Sequence, residues 1–241
     1  MSAFAKLEMA IVLKSLVLPV EQLTSLIINS RHWSTGFDLA QAKNLVNLTL
    51  DTSESFDANF SLCLPALRIL DVSFRDIPTN PLQGLTIPLL EDLTLRWLTQ
   101  DIHDLARDVI AFQNRSSAAI SSLTLGLYAG VQLGNTTPGV FTENFISIFA
   151  AFPTVRTFRV LEEEGCRYPS NSLLRTMIYT KGRPVVFPKL TDLELYMVSY
   201  PPDLTSMISS RRWPEPDVLD VEDDNDGVLQ LQNVNLLCSG R

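Results

Sequence analysis

The chain has 241 residues, 46% of them apolar, and a formal net charge of −8, enough material for one large core or two small ones. The acidic balance argues against a nucleic-acid partner, because holding a phosphate backbone requires clustered Lys and Arg. Cys63, Cys166 and Cys238 are too few and too far apart for a disulfide framework and form no C-x-x-C pair, so they are expected as reduced, mostly buried thiols.

Residues 1–22 are apolar, but Lys6, Glu8 and Lys14 interrupt them. They read as an N-terminal cap rather than a signal peptide or membrane span. The expected location is therefore intracellular, cytoplasmic or nuclear. From Leu23 onward a Leu-x-x-Leu-x-Leu phrase keeps returning: Leu23/Leu26/Ile28, Leu45/Leu48/Leu50, Leu67/Leu70/Val72, Leu90/Leu93/Leu95, Ile120/Leu123/Leu125, Val155/Phe158/Val160 and Leu190/Leu193/Leu195. A weaker eighth triplet stands at Leu231/Val234/Leu236. The first openings are 22, 22 and 23 residues apart, inside the period of about 20 to 29 residues that marks leucine-rich repeats. Four triplets follow an apolar residue plus proline, namely Leu64-Pro65, Ile87-Pro88, Phe152-Pro153 and Phe187-Pro188. The fixed φ of proline suits the end of a connection and the start of a strand.

Each triplet predicts a short strand whose leucines point inward while the residues between them point outward. The early connections, such as Thr52-Ser53-Glu54-Ser55 and Pro78-Thr79-Asn80-Pro81, are rich in turn formers and predict coil or short helical turns. The later connections have room for helices. Asp101 to Gln113 places Ile102, Leu105, Ala106, Val109 and Ile110 on one helical face. Thr142 is a candidate cap for a second helix ending near Ala151. Ser170 or Asn171 would cap a third with Leu173, Leu174, Met177 and Ile178 inward, and Asp203 a fourth with Leu204, Met207 and Ile208 inward. The predicted fold is α/β: an irregular leucine-rich-repeat solenoid, or horseshoe, of about seven to eight strand units forming a single domain over 1–241.

Residues 214–227 form a loop before the last strand, with seven acids and no base between Glu215 and Asp226. Its Glu222-x-Asp224-x-Asp226-Gly227 core departs from a calcium loop, with Glu222 at the first position and Asn233 at the twelfth. It reads as a solvated acidic loop. No metal site and no cofactor are expected: His32 and His103 stand in no metal or hydrolase frame, and no glycine-rich phosphate motif is present. Glu162-Glu163-Glu164 reads as a solvated face rather than an acid/base pair. Four N-x-[ST] sequons begin at Asn47, Asn59, Asn114 and Asn135, but Asn47 falls within a predicted strand.

The phrases LPALRILDVS, IPLLEDLTLRWL and FPKLTDLELYMV, followed by LTSMISSRRW at Leu204 to Trp213, resemble the leucine-rich-repeat regions of basidiomycete F-box proteins. That resemblance implies a non-enzymatic, protein-binding module that presents a target to a ubiquitin-ligase core. The F-box itself is not recognisable before Leu23, so docking to the ligase core would require one upstream. Partner contacts are expected on the concave sheet face. Arg96, Trp97, Arg159 and Tyr196 are the candidate anchors because aromatic and Arg side chains dominate interface energetics, and Asp51, Asp71 and Glu194 stand beside them. Two alternatives stay open: a structural or decayed repeat protein with no specific partner, and an enzyme whose site the sequence hides.

Overall fold

All eight triplets become strands. The computed structural model describes residues 5–9, 20–30, 39–52, 61–74, 80–97, 101–127, 137–162, 169–180, 185–197, 201–212 and 228–238. The acidic loop, Cys166, His32, Trp213 and the turns at Ser53 to Ser55 and Pro78-Thr79 lie outside the described residues. The chain divides into two compact units, Met1–Ile120 and Ser121–Arg241. No described helix is long and apolar enough to cross a membrane.

In the N-terminal unit the strands are β1 (Ala5–Met9), β2 (Leu23–Ser30), β3 (Asn47–Thr52), β4 (Leu62–Cys63), β5 (Ile69–Phe74), β6 (Leu85–Thr86) and β7 (Asp92–Trp97). The order β1-β2-β3-β5-β7 forms one parallel sheet, and β4 pairs with β6 in a second, two-stranded one. The connections use 3-10 turns at Val20–Gln22, Leu39–Gln41 and Pro81–Gln83. One helix, α1 (Ile102–Ser116), follows β7. Its start is set by Asp101, whose carboxylate accepts the His103 N–H at 2.8 Å and so satisfies one orphan donor of the first turn. Ile102, Leu105, Ala106 and Val109 are buried as their spacing predicts, and Ile110 is half-buried.

The C-terminal unit has four parallel strands in sequence order, β8 (Ser122–Leu127), β9 (Thr157–Glu162), β10 (Asp192–Met197) and β11 (Asn233–Cys238). Between them run α2 (Pro138–Ala150), α3 (Pro169–Met177) and α4 (Leu204–Arg212). Two predicted caps move. Helix α2 starts at Pro138 after Thr137, because proline suits the first helical turn, where its missing N–H costs nothing. Thr142 is then inside the helix, donating to the Pro138 carbonyl at 3.0 Å. Asn171 lies within α3, and its Oδ1 accepts the Asp203 N–H at 3.3 Å, linking the third helix to the start of the fourth.

The inward column is nearly dry. Leu48, Leu50, Leu70, Val72, Leu93, Leu95, Leu123, Phe158, Val160, Leu193 and Leu195 are all buried. The apolar-proline marks have a specific structural role. The carbonyls of Leu64, Ile87, Phe152 and Phe187 accept the N–H of Leu67, Leu90, Val155 and Leu190, the opening residue of the next triplet, at 3.3, 3.4, 3.3 and 3.1 Å. Each mark is thus a tight turn with proline in its second position, where a fixed φ is already correct. The apolar residue before each proline is itself buried.

The horseshoe expectation is corrected here: the fold is α/β with a flat, mostly parallel sheet and four α-helices among the described residues, not a curled leucine-rich-repeat solenoid. The triplets establish which side chains point inward and say nothing about curvature. Curling needs a layer opposite the sheet that is wider per repeat than the strand spacing of about 4.8 Å. In the N-terminal unit, 3-10 turns and the β4–β6 pair fill part of that layer, and paired strands repeat at the same spacing. A second correction concerns the thiols: Cys63 and Cys238 are exposed rather than buried.

One buried cation organises the C-terminal end. Arg211, at the end of α4, is 3% exposed. Its Nε donates to the Met177 carbonyl at 3.0 Å, Nη1 to Phe187 at 3.2 Å and Nη2 to Val186. Met177 is the last residue of α3, where helix carbonyls lack intrahelical partners and the helix dipole favours a cation. Phe187 adopts a positive φ of 49°, uncommon for a bulky residue, and its carbonyl is held by both Arg211 and the Leu190 N–H. Desolvation pulls the Arg211 pKa down to about 10, so it stays charged at neutral pH.

Candidate interaction surface

The helices and 3-10 turns leave the outward sheet residues only partly covered. Parallel sheets are usually covered on both faces, but the outward positions on β3, β5, β7, β9 and β10 are mostly half-buried or exposed. In the N-terminal unit, register aligns Ile27, Thr49, Asp71 and Thr94 in one row, and Asn29, Asp51, Ser73 and Arg96 in the next. Arg96 reaches diagonally to the neighbouring β5 and donates from Nη2 to Asp71 Oδ2 at 2.6 Å. The outward charges on β3, β5 and β7 are Asp51, Asp71, Asp92 and Arg96, an excess of carboxylate. Burial raises the Asp71 pKa; Arg96 opposes the shift, while Asp51 and Asp92 add to it. The other Asp71 oxygen, Oδ1, is buried and has no hydrogen-bond partner among the described residues. Asn47 Oδ1 on β3 is in the same position.

In the C-terminal unit the rows are Thr124, Arg159, Glu194, Asn235 and Gly126, Leu161, Tyr196, Leu237. Arg159 and Glu194 are direct cross-strand neighbours, with Nε donating to Oε2 at 2.9 Å, and Arg159 Nη1 also reaches Ser122 Oγ at 3.3 Å. This pairing aims the guanidinium along the sheet. Asp192 is held differently. Its carboxylate accepts from Thr191 Oγ1 at 2.5 Å and Asn233 Nδ2 at 2.6 Å. Those bonds favour the charged form and lower its pKa. Tyr196 is exposed.

The expected residues therefore fall into two separate groups, Asp51, Asp71 and Arg96 in one unit and Arg159, Glu194 and Tyr196 in the other. Trp97 closes β7 opposite Phe74 in register, and its side chain lies outside the described residues. A third row escaped the sequence reading. It contains Ser25, Asn47, Ile69 and Asp92 in one unit and Ser122, Thr157, Asp192 and Asn233 in the other. Its members stand immediately before the middle apolar residue of each triplet, so period-two alternation could have found them. No cluster of His, Cys, Asp and Glu capable of holding a metal ion occurs among the described residues.

Comparisons with protein-family models, curated proteins and solved structures find no match.

Proposed function

We propose that this chain is a protein-interaction module whose contact surface is the outward face of its parallel strands. The observation that supports this reading is the pairing of sparse helical cover with oriented charge: Asp71–Arg96 at 2.6 Å and Arg159–Glu194 at 2.9 Å hold long side chains in one geometry before a partner arrives. Preorganisation of this kind lowers the ordering cost of binding. Tyr196 offers an aromatic anchor beside the second pair, and the carboxylate excess of the first group suits a basic partner surface. Resemblance in the repeat phrases and in LTSMISSRRW supplies the further proposal that the partner is a target of a ubiquitin-ligase adaptor.

The test is affinity purification from cells with the wild type, Arg159→Glu, Arg96→Glu and, as control, Glu143→Lys on the exposed side of α2. The expected result is a set of proteins retained by the wild type and the control and lost in one or both face variants, all four folded by circular dichroism. Identical sets from all four would overturn the face reading. Ligase-core subunits among the retained proteins support the adaptor proposal, and their absence in every purification counts against it.

A further inference from the structure

The outward face of the N-terminal unit holds two buried oxygens in conflict. Asp71 on β5 gives Oδ2 to Arg96 Nη2 at 2.6 Å, while its Oδ1 and the Oδ1 of Asn47 on β3 are closed to solvent and meet no donor among the described residues. Register sets Asp71 between Thr49 and Thr94, and Asn47 stands two residues before Thr49. Asn47 and Asp71 are therefore diagonal cross-strand neighbours, about 7 to 8 Å apart along the backbone and within side-chain reach.

Two acceptors do not bond to each other. A buried oxygen left without a donor costs its desolvation in full, and an ionised one costs the most. One proton resolves both: on Asp71 Oδ1 it makes an O–H that donates to Asn47 Oδ1. Charge favours the same outcome. Asp51 on β3 and Asp92 and Arg96 on β7 are the charges that face Asp71 among the described residues, two carboxylates against one cation. Burial is the largest influence and raises the Asp71 pKa, while Arg96 lowers it. The Arg96 side chain is 40% exposed against 19% for Asp71, so solvent screens its hold on the carboxylate.

We infer that Asp71 is a proton switch on the outward face: on acidification it takes a proton from solvent at Oδ1, bonds through it to Asn47 Oδ1, and releases Arg96 from the ion pair. The face then loses one negative charge, and the guanidinium loses the partner that fixes its direction. This is a regulation of the surface proposed above and rests on that reading only for its effect on binding. The movement of the proton needs no partner.

A carbon and nitrogen NMR titration of the full chain alone reads the switch whether or not a partner binds the face. The Asp71 carboxyl is expected to titrate with a midpoint above the ordinary 3.8, and the Asn47 side-chain carbonyl and the Arg96 guanidinium should shift with the same midpoint. Asn47→Leu removes the acceptor of the neutral acid and should lower the proton affinity of Asp71 about three- to tenfold. Arg96→Met removes the opposing cation and should raise it, and Glu143→Lys on α2 should leave it unchanged. A midpoint at or below 3.8 overturns the inference, as do Asn47 and Arg96 resonances that stay still while Asp71 titrates. A raised midpoint in Asn47→Leu overturns it too, because that sign means the Asn47 amide N–H, not its oxygen, meets the carboxylate. Should Asn47→Leu fail to fold, the wild-type titration decides alone.

Discussion

The two units solve the same problem with different materials. Both turn leucine triplets into parallel strands, yet Met1–Ile120 supports most of its strands with 3-10 turns and a mainly aliphatic interior in which Phe112 is the one buried aromatic among the described residues, while Ser121–Arg241 inserts three helices and an aromatic cluster. In the second unit Phe149 of α2 meets Phe158 of β9 edge-on at 5.3 Å and Phe187 at 4.6 Å, and it stacks on Phe145 at 5.7 Å. Longer connections allow this, because a helix brings large side chains down onto the strands at helical spacing. The outward charges differ in parallel. The first unit buries a carboxylate against its preference, and the second satisfies its carboxylates with donors.

The largest expected effect tests the core comparison. Phe149→Ala should cost about 3 to 5 kcal/mol and Leu93→Ala about 2 to 5 kcal/mol, while Thr94→Ala, pointing outward, should cost far less. Chemical denaturation checks this, and equal losses at Leu93 and Thr94 would sink the strand assignment. Next comes Arg211→Met, which leaves the Met177 and Val186 carbonyls without the guanidinium and the Phe187 carbonyl with the Leu190 N–H alone. It should cost about 1 to 3 kcal/mol, and hydrogen exchange should rise in α3 and β11 while β3 and β5 keep their protection. Uniform loosening of both units would show that the clip acts globally.

A smaller effect is expected for the Arg159–Glu194 pair. Both side chains are partly exposed, so a double-mutant cycle should give about 0.2 to 1 kcal/mol of coupling. The subtlest prediction concerns acid. Asp71 has its pKa raised in the fold, so its ionised form costs stability above that pKa, and the cost is relieved as pH falls through it towards the ordinary 3.8. Asp192 has its pKa lowered, so its contribution is present above 3.8 and is lost as pH falls through its folded value. Carboxyl carbon shifts followed by NMR should show Asp71 protonating before Asp192 during acidification. The reverse order would break the contrast between the two faces.

Much of this was legible in the chain. Alternation placed Leu70, Leu93 and Leu193 inward and Asp71, Thr94 and Glu194 outward, because a strand has a strict period of two. The apolar spacing of Ile102, Leu105, Ala106 and Val109 announced α1, because a helix repeats every 3.6 residues, and the structure adds that Asp101 caps it. Asn171, by contrast, looked like a cap and became a bridge to Asp203, and nothing local distinguishes those roles. Arg211 stood in the sequence only as part of the LTSMISSRRW segment and proved to be a carbonyl clip, reaching residues 24 to 34 positions away.

What the sequence alone determined was the eight triplet strands, though not β1, β4 or β6, the side of each that faces the core, and the places where an apolar-proline pair ends a connection. These depend on interactions within a few residues. Curvature, cross-strand register and the ion pairs were decided only in the tertiary structure, because each depends on what lies opposite a strand, and its neighbours in space come from 22 to 41 residues away in the chain.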